Sequence, residues 1–123
     1  PPPEGLSPHI GLLHPPDLAT LIRHLAGARL FIGNNSGPMH LASALGIPSV
    51  IPCGPSALNW DPEWHRDRFD LLRQPLLPCQ PCDTFDRPAG TCQNTAQPFH
   101  CLERWSIETV LDRALHRLST SAA

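Results

Sequence analysis

The stretch "GNNSGPMHLASALGIPSV", residues 33–50, constrains the fold more than any other part of the chain. A short apolar run from Arg29 to Ile32 meets Gly33, two asparagines, Ser36 and Gly37. A helix starting at Pro38 then carries Met39, Leu41, Ala42, Ala44 and Leu45 as far as Gly46, a residue suited to ending it. Pro48 leads into a second apolar run, Ser49-Val50-Ile51, which stops at Pro52-Cys53-Gly54-Pro55. Upstream, Asp17 can cap a helix in which Leu18, Leu21, Ile22 and Leu25 recur at helical spacing, and Ala26-Gly27-Ala28 ends it. Helix, strand, helix, strand with tight connections predicts a parallel α/β unit.

The rest of the chain adds less regular structure. Its 123 residues suffice for one domain with a modest core. The sixteen prolines fall mainly in residues 1–16 and 48–98, so loops are expected there: an extended lead-in over 1–16 and irregular chain from Ser56 to Cys101. A final helix opens at Ser106, with Ile107, Val110, Leu111, Ala114, Leu115 and Leu118 on one apolar stripe. No run approaches the ~20 apolar residues of a membrane span. A net charge of −2 leaves no electrostatic footprint for nucleic acid. The chain begins Pro1-Pro2-Pro3 without a methionine and is expected to be part of a longer protein.

A small-residue turn between a strand and a helix is a ready anion site. The first N–H groups of a helix lack intrahelical partners, and the helix dipole is positive there. Ser36 is placed to cap, Gly37 keeps the approach open, and Pro38 fits the first turn, leaving Gly37, Met39 and His40 to supply N–H donors. The His40 ring can add another donor, and Asn35 can bond sugar hydroxyls or the loop itself. A capped helix after a tight turn, with no ligand, fits the same letters. Gly54-Pro55-Ser56 follows the second strand and opens onto the same sheet edge, as a cleft wall or as a plain turn. Trp60 is suited either to lie under a base or sugar or to cover the core. Asp61, Glu63, Asp67 and Asp70, mixed with His65, Arg66 and Arg68, read as a solvated loop with local ion pairs.

"ARLFIGNNSGPMHLASALGIPSVIPCGPS" closely resembles the donor-binding core of glycosyltransferase family 9, the ADP-heptose:lipopolysaccharide heptosyltransferase group. "DLATLIRHLAGA" before it, and "LPCQPC" and "CLERWSIETVLDRAL" after it, are similar to the family's preceding helix, cysteine loop and closing helix. The resemblance implies an inverting GT-B enzyme of which this chain is the C-terminal portion: a partial Rossmann-like parallel sheet over 17–118, with a Cys loop at 79–101 and a tail at 119–123. It implies a nucleotide-diphospho-sugar donor, ADP-heptose, and a lipopolysaccharide core or other glycan acceptor. Asn35, Ser36, Gly37, Pro38, Met39 and His40, with Gly54, Pro55 and Ser56, are the implied donor-binding residues. Asn35 stands where the family usually has Asp. The catalytic base, a diphosphate-gripping lysine and the acceptor domain are expected upstream, so the chain alone is expected to be inactive. A cytoplasmic location, peripheral at the inner membrane, is implied as well. The rival reading is a non-catalytic, metal-ordered binding module that retains the fold.

Cys79, Cys82, Cys92 and Cys101 form the pattern C-x2-C-x9-C-x8-C. Two thiolates from one tight turn and two from further along can close a tetrahedron around a metal. Free structural thiols, and disulfide or redox chemistry, are the alternatives. Zinc is the chemical default for four thiolates; the four-cysteine iron finger of the autotransporter heptosyltransferase branch, which this loop resembles, adds iron. No organic cofactor is expected. Cys53, ending a strand, reads as a small buried residue.

Overall fold

The computed structural model describes residues 4–84, 86 and 90–121. Pro1–Pro3 of the expected lead-in, residues 85 and 87–89 of the Cys loop and the last two residues of the tail lie outside the described residues. The order of elements is α1 (Leu18–Ala26), β1 (Phe31–Ile32), α2 (Gly37–Ala44), β2 (Ser49–Pro52), β3 (Phe69–Leu72), α3 (His100–Glu103) and α4 (Ile107–Thr120). Two single 3-10 turns, Leu58–Trp60 and Arg66–Arg68, punctuate the chain between β2 and β3.

Helices α1 and α4 begin, and α2 ends, where their residues dictate. Asp17 accepts the Thr20 N–H at 2.7 Å and so supplies a partner for one of the free donors of α1. Ser106 does the same for α4 through the Thr109 N–H at 3.1 Å. Gly46 adopts φ +69 just past α2, a left-handed conformation that a side chain disfavours. The Ile47 N–H folds back there onto the Ala42 carbonyl at 3.0 Å.

The sheet has the order β1-β2-β3 and is parallel throughout, with Phe31 paired to Ser49 and Ser49 to Phe69. Residues on alternate sides of the strands enter two separate apolar clusters, as the period of two requires. On one face Met39, Ala42, Ile47, Ile51, Cys53 and Phe69 are buried, with Leu25 of α1 and Phe31 against them. On the other, Val50, Leu72 and Ala114 are buried, with Val110 and Trp105 alongside. The result is α1 and α2, then the sheet, then α4: a three-layer α/β unit, consistent with a piece of a Rossmann-like glycosyltransferase domain.

β3 corrects the expectation that everything from Ser56 to Cys101 is irregular. Its four residues hide among charges, because Asp70 interrupts the apolar run and Arg66-Asp67-Arg68 precedes it. Arg117 of α4 resolves the apparent conflict by donating to both Asp70 carboxylate oxygens, at 3.1 and 2.8 Å. Ser43, fully buried in α2, binds the backbone carbonyl of Trp64 and accepts its N–H at 3.1 Å, pinning the β2–β3 connection. The stripe expected on α4 is split. Ala114 is buried and Val110 and Leu118 are half-buried, whereas Ile107, Leu111 and Leu115 are exposed. α4 also runs on to Thr120, past the boundary expected at 118. Among the described residues no helix is long and apolar enough to cross a membrane.

Candidate functional site

At the carboxyl edge of a parallel sheet the connecting turns leave a crevice, and ligands of open α/β sheets gather there. Here that edge holds a cavity of about 730 Å3. One wall is the β1–α2 turn, Asn34 to Gly37. A second is the chain leaving β2, Gly54 to Ala57, and Asn59 and Trp60 continue it. Asp83, Thr84 and Leu102 close the far side.

The β1–α2 turn is shaped by contact and by hydrogen bonding. Gly33 lies over the Phe31 ring, where an added Cβ would come within 2.6 Å. Ser36 occupies the cap position of α2 with extended backbone, φ −152, but its hydroxyl does not cap the helix. It donates instead to the Asn34 carbonyl at 3.4 Å, tightening the turn. At Gly37 an added Cβ would meet nothing within 4 Å, so the open approach expected there is present.

The expected donor set is smaller in the structure. Met39 is fully buried, and its N–H bonds to the Ser36 carbonyl at 3.1 Å as a tight first helical turn. It supports the turn from the core side. Pro38 is exposed at the start of α2 and has no N–H to offer. His40 is half-buried and sets its ring edge-to-face against Trp60, with centroids 5.6 Å apart. Trp60 remains 55% exposed, so it presents an aromatic surface to the cavity instead of covering the core.

Behind the same turn sits an ion pair between Arg73 and Asp61, the latter expected from the sequence in a solvated loop. The Asp61 and Arg73 side chains are only 6% and 7% exposed. Both guanidinium ends of Arg73 bond the Asp61 carboxylate, one of them at 2.8 Å. Asn35 joins them, donating from Nδ2 to Asp61 Oδ1 at 3.1 Å. Arg66, largely exposed, approaches the same carboxylate at 3.7 Å. The hydrogen bonds that Arg73 donates to Asp61 raise the pKa of its guanidinium. Cys53 is fully buried beside this network, as its place at a strand end suggested, and burial pushes its thiol pKa up.

The cysteine turn is stitched directly to the cavity. Gln80, between Cys79 and Cys82, donates to the Gly54 carbonyl at 2.8 Å. The N–H groups of Cys82 and Asp83 both bond the Pro55 carbonyl, at 3.1 and 3.0 Å, and Ser56 bridges Asp83. Leu102 of α3 packs where a Cβ on Gly54 would come within 3.3 Å. Gln80, Asp83, Thr84 and Leu102 carried no sequence signal of this role, because each reaches the site from far along the chain.

All five cysteines are free thiols, with Cys82 buried and Cys79, Cys92 and Cys101 half-buried. Burial raises the pKa of Cys82 and Cys101, and neighbouring cysteines raise it further. Cys82, Cys79 and Cys92, in that order, each add to the rise at Cys101. Cys92 Sγ also accepts the Phe99 N–H at 3.3 Å. An all-thiol set of this kind suits zinc or iron. Among the described residues, however, no three His, Cys, Asp or Glu side chains converge as ligands.

Comparison with known proteins agrees with this picture. The profile of glycosyltransferase family 9 (heptosyltransferase) matches residues 4–71, more than half of the chain. Lipooligosaccharide heptosyltransferase 2 of Campylobacter jejuni subsp. jejuni serotype O:2 is 29% identical over 106 residues, 85% of this chain and 30% of that protein. The protein of the same name from serotype O:6 is 34% identical over 65 residues, 53% of this chain and 20% of that protein. The chain thus spans under a third of the curated relatives it matches. No solved structure gives a significant match. Cavity, turn and profile converge, and the chain belongs to glycosyltransferase family 9.

Proposed function

We propose that this chain is the donor-binding part of an inverting GT-B glycosyltransferase that transfers heptose from ADP-heptose to a lipopolysaccharide core acceptor. The cavity carries the reading: it lies at the carboxyl edge of the sheet, between the two turns that hold the family-like motif. Its volume is in the range of small-molecule sites. The Gly37 N–H faces the diphosphate, which gains negative charge as it leaves; Ser36 shapes the turn beside it, and Pro38 starts the helix whose dipole adds to that donor. His40 adds to that stabilisation, with Trp60 holding its ring. Trp60 gives an aromatic shelf for the base or sugar, and Gly54, Pro55 and Ser56 form the opposing wall. The catalytic base and the acceptor domain lie outside this chain, and the enzyme works at the cytoplasmic face of the inner membrane. The reading as a non-catalytic module finds no support in the comparisons, since both curated relatives are named heptosyltransferases.

Titration calorimetry of ADP-heptose into the full-length protein tests the assignment. Wild type is expected to bind, and His40→Ala to bind about tenfold more weakly, the loss of one charge-assisted hydrogen bond. Absence of binding by wild type, or equal binding by the variant, overturns it.

We also propose that Cys79, Cys82, Cys92 and Cys101 hold one zinc or iron ion that orders the proline-rich loop. When bound, the ion supplies cross-linking between distant stretches of the loop. Elemental analysis of unchelated protein is expected to show about one equivalent of metal, with a lower melting temperature after chelation. Metal-free protein with four alkylatable thiols overturns this.

A further inference from the structure

Gly54 is a buried residue of the cavity wall, and its carbonyl belongs to a peptide that runs into Pro55 and so has no N–H. A carbonyl oxygen carries partial negative charge, which is ill suited to a cavity that takes an anion. Here that oxygen is engaged by a residue outside the cavity lining: Gln80 donates to it from Nε2 at 2.8 Å. Gln80 is itself fixed. Its N–H closes a turn onto the Leu77 carbonyl at 2.9 Å, and its Oε1 accepts the Leu77 N–H at 3.0 Å. Arg104 Nη2 reaches the same Oε1 at 3.5 Å, from a guanidinium bonded to the Arg73 and Pro75 carbonyls and lying over the Trp105 ring. Turned end for end, the amide would set donors against those donors and an oxygen against the Gly54 carbonyl. Its nitrogen must therefore face Gly54, while Leu102 fills the space beside the Gly54 α-carbon.

We propose that Gln80 is a positioning residue of the donor cavity: its amide holds the Gly54 carbonyl away from the space that the anionic part of the ligand occupies. The inference rests on the donor-pocket reading and deepens it, because it gives the turn between Cys79 and Cys82 a task in binding that needs no metal. Asp83 already brings a carboxylate to that side of the cavity, so a further negative end turned inward would count directly against an anion. Gln80 does not line the cavity, so it acts through Gly54.

Two substitutions separate the halves of the amide. Gln80→Glu keeps both acceptor contacts and replaces the donor at Gly54 with an oxygen; Gln80→Ala removes every contact of the side chain. ADP is titrated by calorimetry into the full-length wild-type protein and both variants, and adenosine, the probe without phosphate, by ligand-observed NMR. Both variants are expected to bind ADP about tenfold more weakly, the size of one hydrogen bond, at unchanged stoichiometry. Adenosine is expected to bind all three proteins alike. In turnover, the KM for ADP-heptose is expected to rise by the same factor with kcat unchanged, the mark of lost uniform binding. Damage to the fold would act differently, lowering stoichiometry and kcat at constant affinity. That pattern, wild-type ADP affinity in Gln80→Glu, or an equal loss for adenosine overturns the proposal. Failure of wild type to bind ADP counts instead against the donor-pocket reading. Should Gln80→Glu fail to fold, Gln80→Ala carries the test alone: weaker ADP beside unchanged adenosine supports the proposal, and any other outcome overturns it.

Discussion

Asp61 and Asp70 carry the same side chain in the same charged stretch, yet they do different things. Asp61 is bound to Arg73 out of reach of water; Asp70 is bound to Arg117 at a site where the pair is 17–19% exposed. Removing one partner of a buried pair strands a charge, so Arg73→Met is expected to destabilise the fold by about 3–5 kcal/mol, read from chemical denaturation. Arg117→Met is expected to cost about 1 kcal/mol. The second pair also sets a pH response. Arg117 lowers the pKa of Asp70 chiefly through its hydrogen bond. A depressed carboxylate contributes stability above the unfolded value of about 3.9 and loses it as pH falls through the lower folded value. The stability gap between wild type and Arg117→Met is thus expected to be full at neutral pH and to close below about pH 4. At this scale the sequence named the charges but not their partners. Asp70 and Arg117 are brought together only when α4 lies across β3, and Asp61 meets Arg73 only when the β2–β3 connection folds over the strand ends.

Among the elements, those with local signals were legible. The spacing of Leu18, Leu21, Ile22 and Leu25, the caps at Asp17 and Ser106 and the stop at Gly46 all appear where local chemistry places them. Ser106→Ala is expected to cost about 1 kcal/mol, read as a lowered melting temperature, by leaving the Thr109 N–H without its partner. β3 was not legible, because a four-residue strand with a central Asp has too short a period to stand out, and its evidence is the pairing with β2. Its neighbour explains how firmly it is held. Ile51 of β2 is fully buried in the α2-side cluster, and Ile51→Ala is expected to cost about 2–5 kcal/mol in denaturant titration.

At the scale of the whole molecule, the two turns at the carboxyl edge could be placed from the strand–turn–helix order, but the third wall could not. Asp83 and Thr84 arrive from the cysteine turn and Leu102 from α3, along a proline-rich path with no period to follow. The Pro55 carbonyl is where that path is joined to the cavity, since it takes the N–H groups of both Cys82 and Asp83. Through that joint a nucleotide sugar in the cavity and a metal at the cysteine turn are expected to raise each other's affinity by the same factor. Occupancy of the cavity therefore has a chemical readout at a distance. Saturation with nucleotide sugar is expected to slow alkylation of Cys82 in the metal-free protein, so that the rate of thiol labelling counts filled sites.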